Sequence, residues 1–160
     1  MAAFSEAPRA RRRATIASDG KSGSYWRTRP LLTVTSEALE AGIAAARLGN
    51  HIGDIGAAVQ EVVERAGLSV VRDLVGHGIG VEFHEEPQVP NYGKPKRGPR
   101  LMPGMTIAIE PMVNLGGPEI RTLDDRWTVV TQDGSLSAHF EHTVAVLPDG
   151  GPPRILTTAD

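Results

Sequence analysis

Two histidines and two glutamates stand where side chains of their type can bind protons or a divalent cation. His77 and His84 lie seven residues apart in GHGIGVEFHEEPQVPNY, the run from Gly76 to Tyr92. Gly76 and Gly78 flank His77 and allow its backbone shapes that a β-carbon forbids. Glu110 follows Met105, Ile107 and Ile109, which alternate with Thr106 and Ala108. That alternation is a strand pattern and puts Glu110 on the face of Thr106 and Ala108, both small. Glu141 lies in AHFEHTVAV, on the face of His139, Thr143 and Ala145 and opposite Phe140, His142, Val144 and Val146. A carboxylate set among apolar strand residues is costly to bury unless it is paired or bound to a cation. Imidazole and carboxylate together suit a hard or borderline metal. The chain has no cysteine, so any metal must be held by His, Asp or Glu. The plainer alternative is that each glutamate sits on a solvated strand face, that His139 and His142 are only neighbours of Glu141, and that His84-Glu85-Glu86 is a charged loop.

These residues need a frame to bring them together. Order is expected from Pro30 onward. Leu32, Ser36, Leu39, Ile43 and Ala46 recur at helical spacing, with Pro30 in the first turn and Gly49-Asn50 closing the helix. Asp54 is expected to cap a second helix, with Ile55, Val59, Val62, Val63 and Ala66 on one stripe and Gly67 past its end. LSVVRDLVG then reads as a strand, and NYGKPKRGPRLMPGM as a loop rich in Pro, Gly and basic residues. WTVVTQ, a turn at Asp133-Gly134 and LSAHFEHTVAVL read as a hairpin with a long second strand; RILT is expected to add an edge strand. Helices first and antiparallel strands after them point to an α+β fold, two helices packed on a mainly antiparallel curved sheet.

The 160 residues suffice for one domain with a core, and the 18 glycines and 12 prolines speak for turns and loops against a helix bundle. A net charge of −2 gives no overall case for nucleic acid or an anionic membrane, and no apolar run reaches the length of a span. Residues 1–29 differ: seven Lys and Arg stand against Glu6 and Asp19. This segment is expected to be a disordered basic tail ahead of a domain over 30–160, with a transit peptide or a basic arm as the other compositional readings.

The string GHGIG…FHEEPQVPNY, then LMPGMTIAIEPMV, then EIRTLDDRWTVVTQDGSLSAHFEHTVAV resembles the type I methionine aminopeptidases. The likeness runs from about Leu31 to Thr157, roughly four-fifths of the chain, and includes the paired helices. It implies the C-terminal half of a pita-bread fold and a cytoplasmic enzyme that removes the initiator methionine from nascent chains, with a peptide N-terminus beginning with Met as its partner. It also implies two divalent ions, of Co, Mn, Fe or Zn, sharing a water or hydroxide. Residue by residue, it makes His77, Glu110 and Glu141 metal ligands, Glu110 also a proton shuttle, and His84 the histidine that touches substrate. Trp127 resembles an aromatic near the methionine pocket, and a core role is its alternative.

The same resemblance implies two further aspartate ligands upstream. Asp19 in DGKSGS has no acidic partner at the right separation and is not assigned as one. The first lobe of the fold is therefore expected to be absent, leaving one His and two Glu, enough for one weakly held ion. Activity of the chain alone is expected to be low. Two other functions stand beside the peptidase: a non-catalytic binding module or inactive fragment that keeps the fold's surface, and a nucleic-acid or ribosome contact through Arg9 to Arg13.

Overall fold

The computed structural model describes residues 15–17 and 25–158. Two helices are present among them, α1 (Tyr25–Ala45) and α2 (Ile52–Arg65). The strands are β1 (Thr15–Ala17), β2 (Ser69–Val70), β3 (Gly76–Gly78), β4 (Glu85–Val89), β5 (Thr106–Ile109), β6 (Met112–Asn114), β7 (Ile120–Thr122), β8 (Val129–Thr131), β9 (Ser137–His139), β10 (His142–Ala145) and β11 (Arg154–Ile155). Every paired strand is antiparallel to its neighbour. They form a four-stranded sheet in the order β1-β9-β6-β2, a five-stranded sheet in the order β11-β10-β5-β3-β4, and the hairpin β7-β8. The α+β class and the edge strand at RILT are as expected.

The two larger sheets share one bent ribbon. β5 pairs with β10, and β6 pairs with β9. Between them, Glu110-Pro111 on one strand faces Phe140-Glu141 on the other. The ladder is bridged there by the Phe140 N–H, which donates to the Pro111 carbonyl at 3.4 Å. Pro111 has no N–H to give, so a regular ladder cannot run through this point. The ribbon changes sheets at the bend, and both glutamates sit on it.

The helices back the ribbon on its apolar side. Leu39, Ile43, Ile52 and Ile55 pack with Ile107, Ile109, Val144 and Val146 against the five-stranded sheet. Leu31, Ala38, Val59 and Val63 pack with Val70, Val113 and Ala138 against the four-stranded one. Each helix thus spans the bend, and burial of these aliphatics, about 1.5–3 kcal/mol per side chain, holds the two sheets in one angle.

Several boundaries differ from expectation. α1 starts five residues before Pro30, and Pro30 lies inside it. The tail expected over 1–29 is described at Thr15–Ala17, which is a strand, and at 25–29, which are helical; the remainder, including Arg9 to Arg13 and Asp19, lies outside the described residues. The cap of α2 is His51, with Asp54 at the third helical position. The Asp54 carboxylate accepts the His51 N–H at 2.7 Å and the Lys96 N–H at 2.9 Å, which ties the basic loop to the helix start. Burial pushes the Asp54 pKa up, but these bonds outweigh it and leave it lowered. Gly67 closes α2 with φ +72°, as expected.

The expected hairpin is also different. β8 pairs back with β7, not with β9. The turn at Asp133-Gly134 exists, but its carboxylate accepts the Gly117 N–H at 2.9 Å and the Ser135 N–H at 2.8 Å. Those bonds draw the turn toward 115–117 and away from a closed ladder. The long strand expected after it is two strands, β9 and β10, broken at the bend. LSVVRDLVG is a strand at Ser69–Val70, with Val71 continuing through one bond to the Met112 carbonyl, and again only at its last residue, Gly76, where β3 begins.

Candidate metal centre

The registers put the candidate ligands on one face. His77 on β3 stands opposite Ala108 on β5, and Thr143 on β10 stands opposite the same alanine. The row His77, Ala108, Thr143 therefore faces away from the helices, because Ile107, Ile109 and Val144 face toward them. Glu110 lies two residues beyond Ala108, and Glu141 two residues before Thr143. Ala108 leaves the space between them open.

β3 lies this close to β5 on one side and to β4 on the other because of its glycines. A β-carbon on Gly76 would meet the Ala108 carbonyl oxygen at 2.3 Å, and one on Gly78 would meet the Glu86 carbonyl oxygen at 2.2 Å. Neither glycine is among the residues with positive φ. The reason for glycine beside His77 is thus room between backbones; the unusual conformation expected from the sequence is not used.

His77, Glu110 and Glu141 each offer one ligand atom, and these atoms all lie within 4.8 Å of one another. The His77 Nδ1 lies 2.8 Å from the Gly78 carbonyl oxygen. A carbonyl only accepts, so Nδ1 carries the proton and donates it. In the neutral ring Nε2 then keeps its lone pair, and it lies 3.5 Å from Glu110 Oε1. Glu110 is mostly buried, at 15% side-chain exposure, and the buried Asn91 amide donates to its backbone carbonyl at 3.1 Å. The Glu141 carboxyl is pushed up, first by desolvation and next by the charge of Glu110, against the pull of His139, His77 and His84. A glutamate whose ionisation is opposed by a neighbouring carboxylate, facing a histidine lone pair, fits a divalent cation, which would offset the repulsion and take all three donors.

His84 is outside this ligand group. It is exposed, and its ring lies 4.2 Å from that of His77, centroid to centroid, in an edge-on arrangement. Phe83 packs edge-on against His84 at 4.6 Å. Trp127 sits on the turn from β7 to β8, 56% exposed, and its backbone N–H donates to Asp125 Oδ1 at 3.0 Å. It is therefore not a core residue. The sequence reading missed two residues. Asn91, in the PNY end of the opening run, carried no charge to mark it. His139 reads from the sequence only as a neighbour of Glu141, yet its Nε2 lies 3.3 Å from Glu110 Oε2. Its same-face spacing from Glu141 was the available signal.

Residues 14–148 match the model of metallopeptidase family M24. The chain belongs to that family. Over 127 residues it is 58% identical to the methionine aminopeptidase of Clostridium perfringens, covering 79% of this chain and 50% of the relative. Over 120 residues it is 51% identical to the methionine aminopeptidase of Escherichia coli, covering 75% and 46%. Among solved M24 structures, the methionine aminopeptidase from Rickettsia prowazekii superposes with a TM-score of 0.81 at 43% identity, over 86% of this chain and 55% of that one. The dipeptidase from Pyrococcus horikoshii superposes less well, with a TM-score of 0.60 at 28% identity, over 84% and 32%. The fold is the pita-bread fold of these M24 peptidases, and the likeness is greater to the aminopeptidase than to the dipeptidase. The chain spans about half the length of the curated relatives it matches. No helix among the described residues is long and apolar enough to cross a membrane.

Proposed function

We propose that this M24 chain is a methionyl aminopeptidase half-site that binds one divalent cation through His77, Glu110 and Glu141 and acts on peptides that begin with methionine. One observation carries the reading: donor atoms from three separate segments of the chain converge within 4.8 Å. What the cation supplies when bound is Lewis acidity toward a peptide carbonyl and activation of water. The chain's own residues do the rest. His77 presents Nε2 because Gly78 holds its other nitrogen. Glu110, whose backbone carbonyl accepts from Asn91, would be one of the cation's ligands and can hold a proton on its carboxylate. His84, beside His77 at the exposed edge, donates to the substrate carbonyl oxygen as negative charge grows there. Trp127 offers an apolar surface for the methionine side chain. Initiator-methionine removal from nascent chains is the biological role this reading gives.

The test is a metal titration of the full chain, followed by an assay on a Met-Ala peptide. Calorimetry with Co²⁺ or Mn²⁺ is expected to show one site, lost in E141A. Turnover is expected to be metal-dependent, lost in E141A, and slower than that of a full-length relative. Absence of any divalent-metal binding overturns the reading and leaves a non-catalytic peptide-binding module. Turnover that survives E141A overturns it as well.

A further inference from the structure

We propose that His139 is a positioning residue for the metal centre, holding the Glu110 carboxylate so that only one of its oxygens is left for the cation. The inference rests on the reading of His77, Glu110 and Glu141 as a cation site.

The two oxygens of Glu110 face two different histidines. Oε1 lies 3.5 Å from His77 Nε2, and Oε2 lies 3.3 Å from His139 Nε2. His139 ends β9 and stands opposite Met112, the first residue of β6, so it reaches Glu110 across the bend of the ribbon. Its side chain is only 17% exposed, so packing limits the directions it can take. It contacts Glu110 without entering the group of mutually close ligand atoms, which among the described residues is His77, Glu110 and Glu141. This separation distinguishes a residue that orients a ligand from one that is a ligand. A glutamate side chain has three torsions to fix. The Asn91 amide holds the backbone carbonyl of Glu110, and the His139 ring, with Nε2 3.3 Å from Oε2, is placed to restrict the far end. Outer partners of this kind typically change metal affinity by about 10–100-fold when removed.

The experiment is Co²⁺ titration of the full chain by calorimetry and by visible absorption, for the wild type, H77A, H139A, H139Q and H139L. The expected result is about a tenfold or greater loss of affinity in H139A and H139L, with a changed Co²⁺ spectrum. H139Q, which keeps a side-chain N–H able to reach Oε2, is expected to recover most of both. H139L fills the space without a donor, so it decides the matter should H139A fail to fold. Wild-type affinity and spectrum in H139L, with binding lost in H77A, overturn the positioning role and leave the cation site standing. Loss in H139L as complete as in H77A, without rescue in H139Q, makes His139 a ligand and overturns the role in the other direction. A wild type that binds no Co²⁺, or binding unchanged in H77A, overturns the site and the inference together.

Discussion

Glu141 is the residue where binding and stability pull apart. Its carboxylate faces that of Glu110, and both desolvation and that like charge oppose its ionisation. In the metal-free protein the pair is therefore a cost. E141Q removes one charge and keeps the shape. It is expected to raise the melting temperature of the metal-free chain, by up to about 1 kcal/mol of stability on the scale of partly exposed charge pairs. The same variant is expected to lose Co²⁺ binding. Thermal melts in EDTA and calorimetry check the two effects separately; a less stable metal-free E141Q would mean that Glu141 makes a favourable contact outweighing the repulsion. Strand alternation marked the faces of Glu110 and Glu141 in the sequence, but only the resemblance to the aminopeptidases joined them with His77, because the three lie far apart along the chain. His139 was not legible, because its contact depends on the angle between two sheets, and no pattern along one strand encodes that angle.

At the scale of elements, the bend in the ribbon and the close approach of β3 build the face that carries the ligands. Strand alternation in TIAI and HTVA correctly placed the core and ligand faces, and the helices followed from the stripe of Ile55, Val59 and Val63. The break at Phe140-Glu141 was not legible, since AHFEHTVAV alternates without interruption while Pro111, on the partner strand, interrupts the ladder. The same is true of β8: its pairing with β7 is settled by Asp133, whose bonds turn the chain away. Two predictions follow at this scale. G78A would force a β-carbon to 2.2 Å from the Glu86 carbonyl oxygen, which is backbone and cannot rotate aside. A loss of about 1–3 kcal/mol is expected, together with weaker metal binding because His77 is adjacent. G67A meets no atom within 4 Å but sits at φ +72°, so it is expected to cost about 1 kcal/mol and leave metal binding unchanged. Chemical denaturation and Co²⁺ titration of both variants would distinguish packing at β3 from backbone strain elsewhere. Asp133 gives the pH dependence. The Ser135 hydroxyl and N–H and the Gly117 N–H hold its carboxyl down from 3.8 to about 2. A depressed carboxylate pKa stabilises the fold above its unfolded value, and the contribution disappears as pH falls through the folded one. D133N is therefore expected to melt below the wild type at neutral pH, with the gap closing between about pH 4 and pH 2; the residue is exposed, so salt should narrow it too. An equal gap at pH 7 and pH 2 would exclude the charge as its cause.

For the molecule as a whole, the position of the three donors has a thermodynamic consequence. His77 lies on β3, Glu110 between β5 and β6, and Glu141 between β9 and β10. In sequence they are far apart, so the unfolded chain does not hold them together. A cation bound by all three joins the outer part of the five-stranded sheet to the bend that leads into the four-stranded one. Its binding free energy then becomes folding free energy. At a free Co²⁺ concentration of about 100 times the dissociation constant, the gain is about 2.7 kcal/mol, provided the unfolded state does not bind. A domain of this size should show it as a rise in melting temperature of roughly 5–10 °C. The expected result is a single transition that moves upward with added Co²⁺, returns with EDTA, and does not move in H77A. The sheets share a ribbon and both helices, so near- and far-ultraviolet signals should shift together. A shift confined to the near-ultraviolet would show instead that the cation orders the site alone and that the two sheets do not melt as one unit.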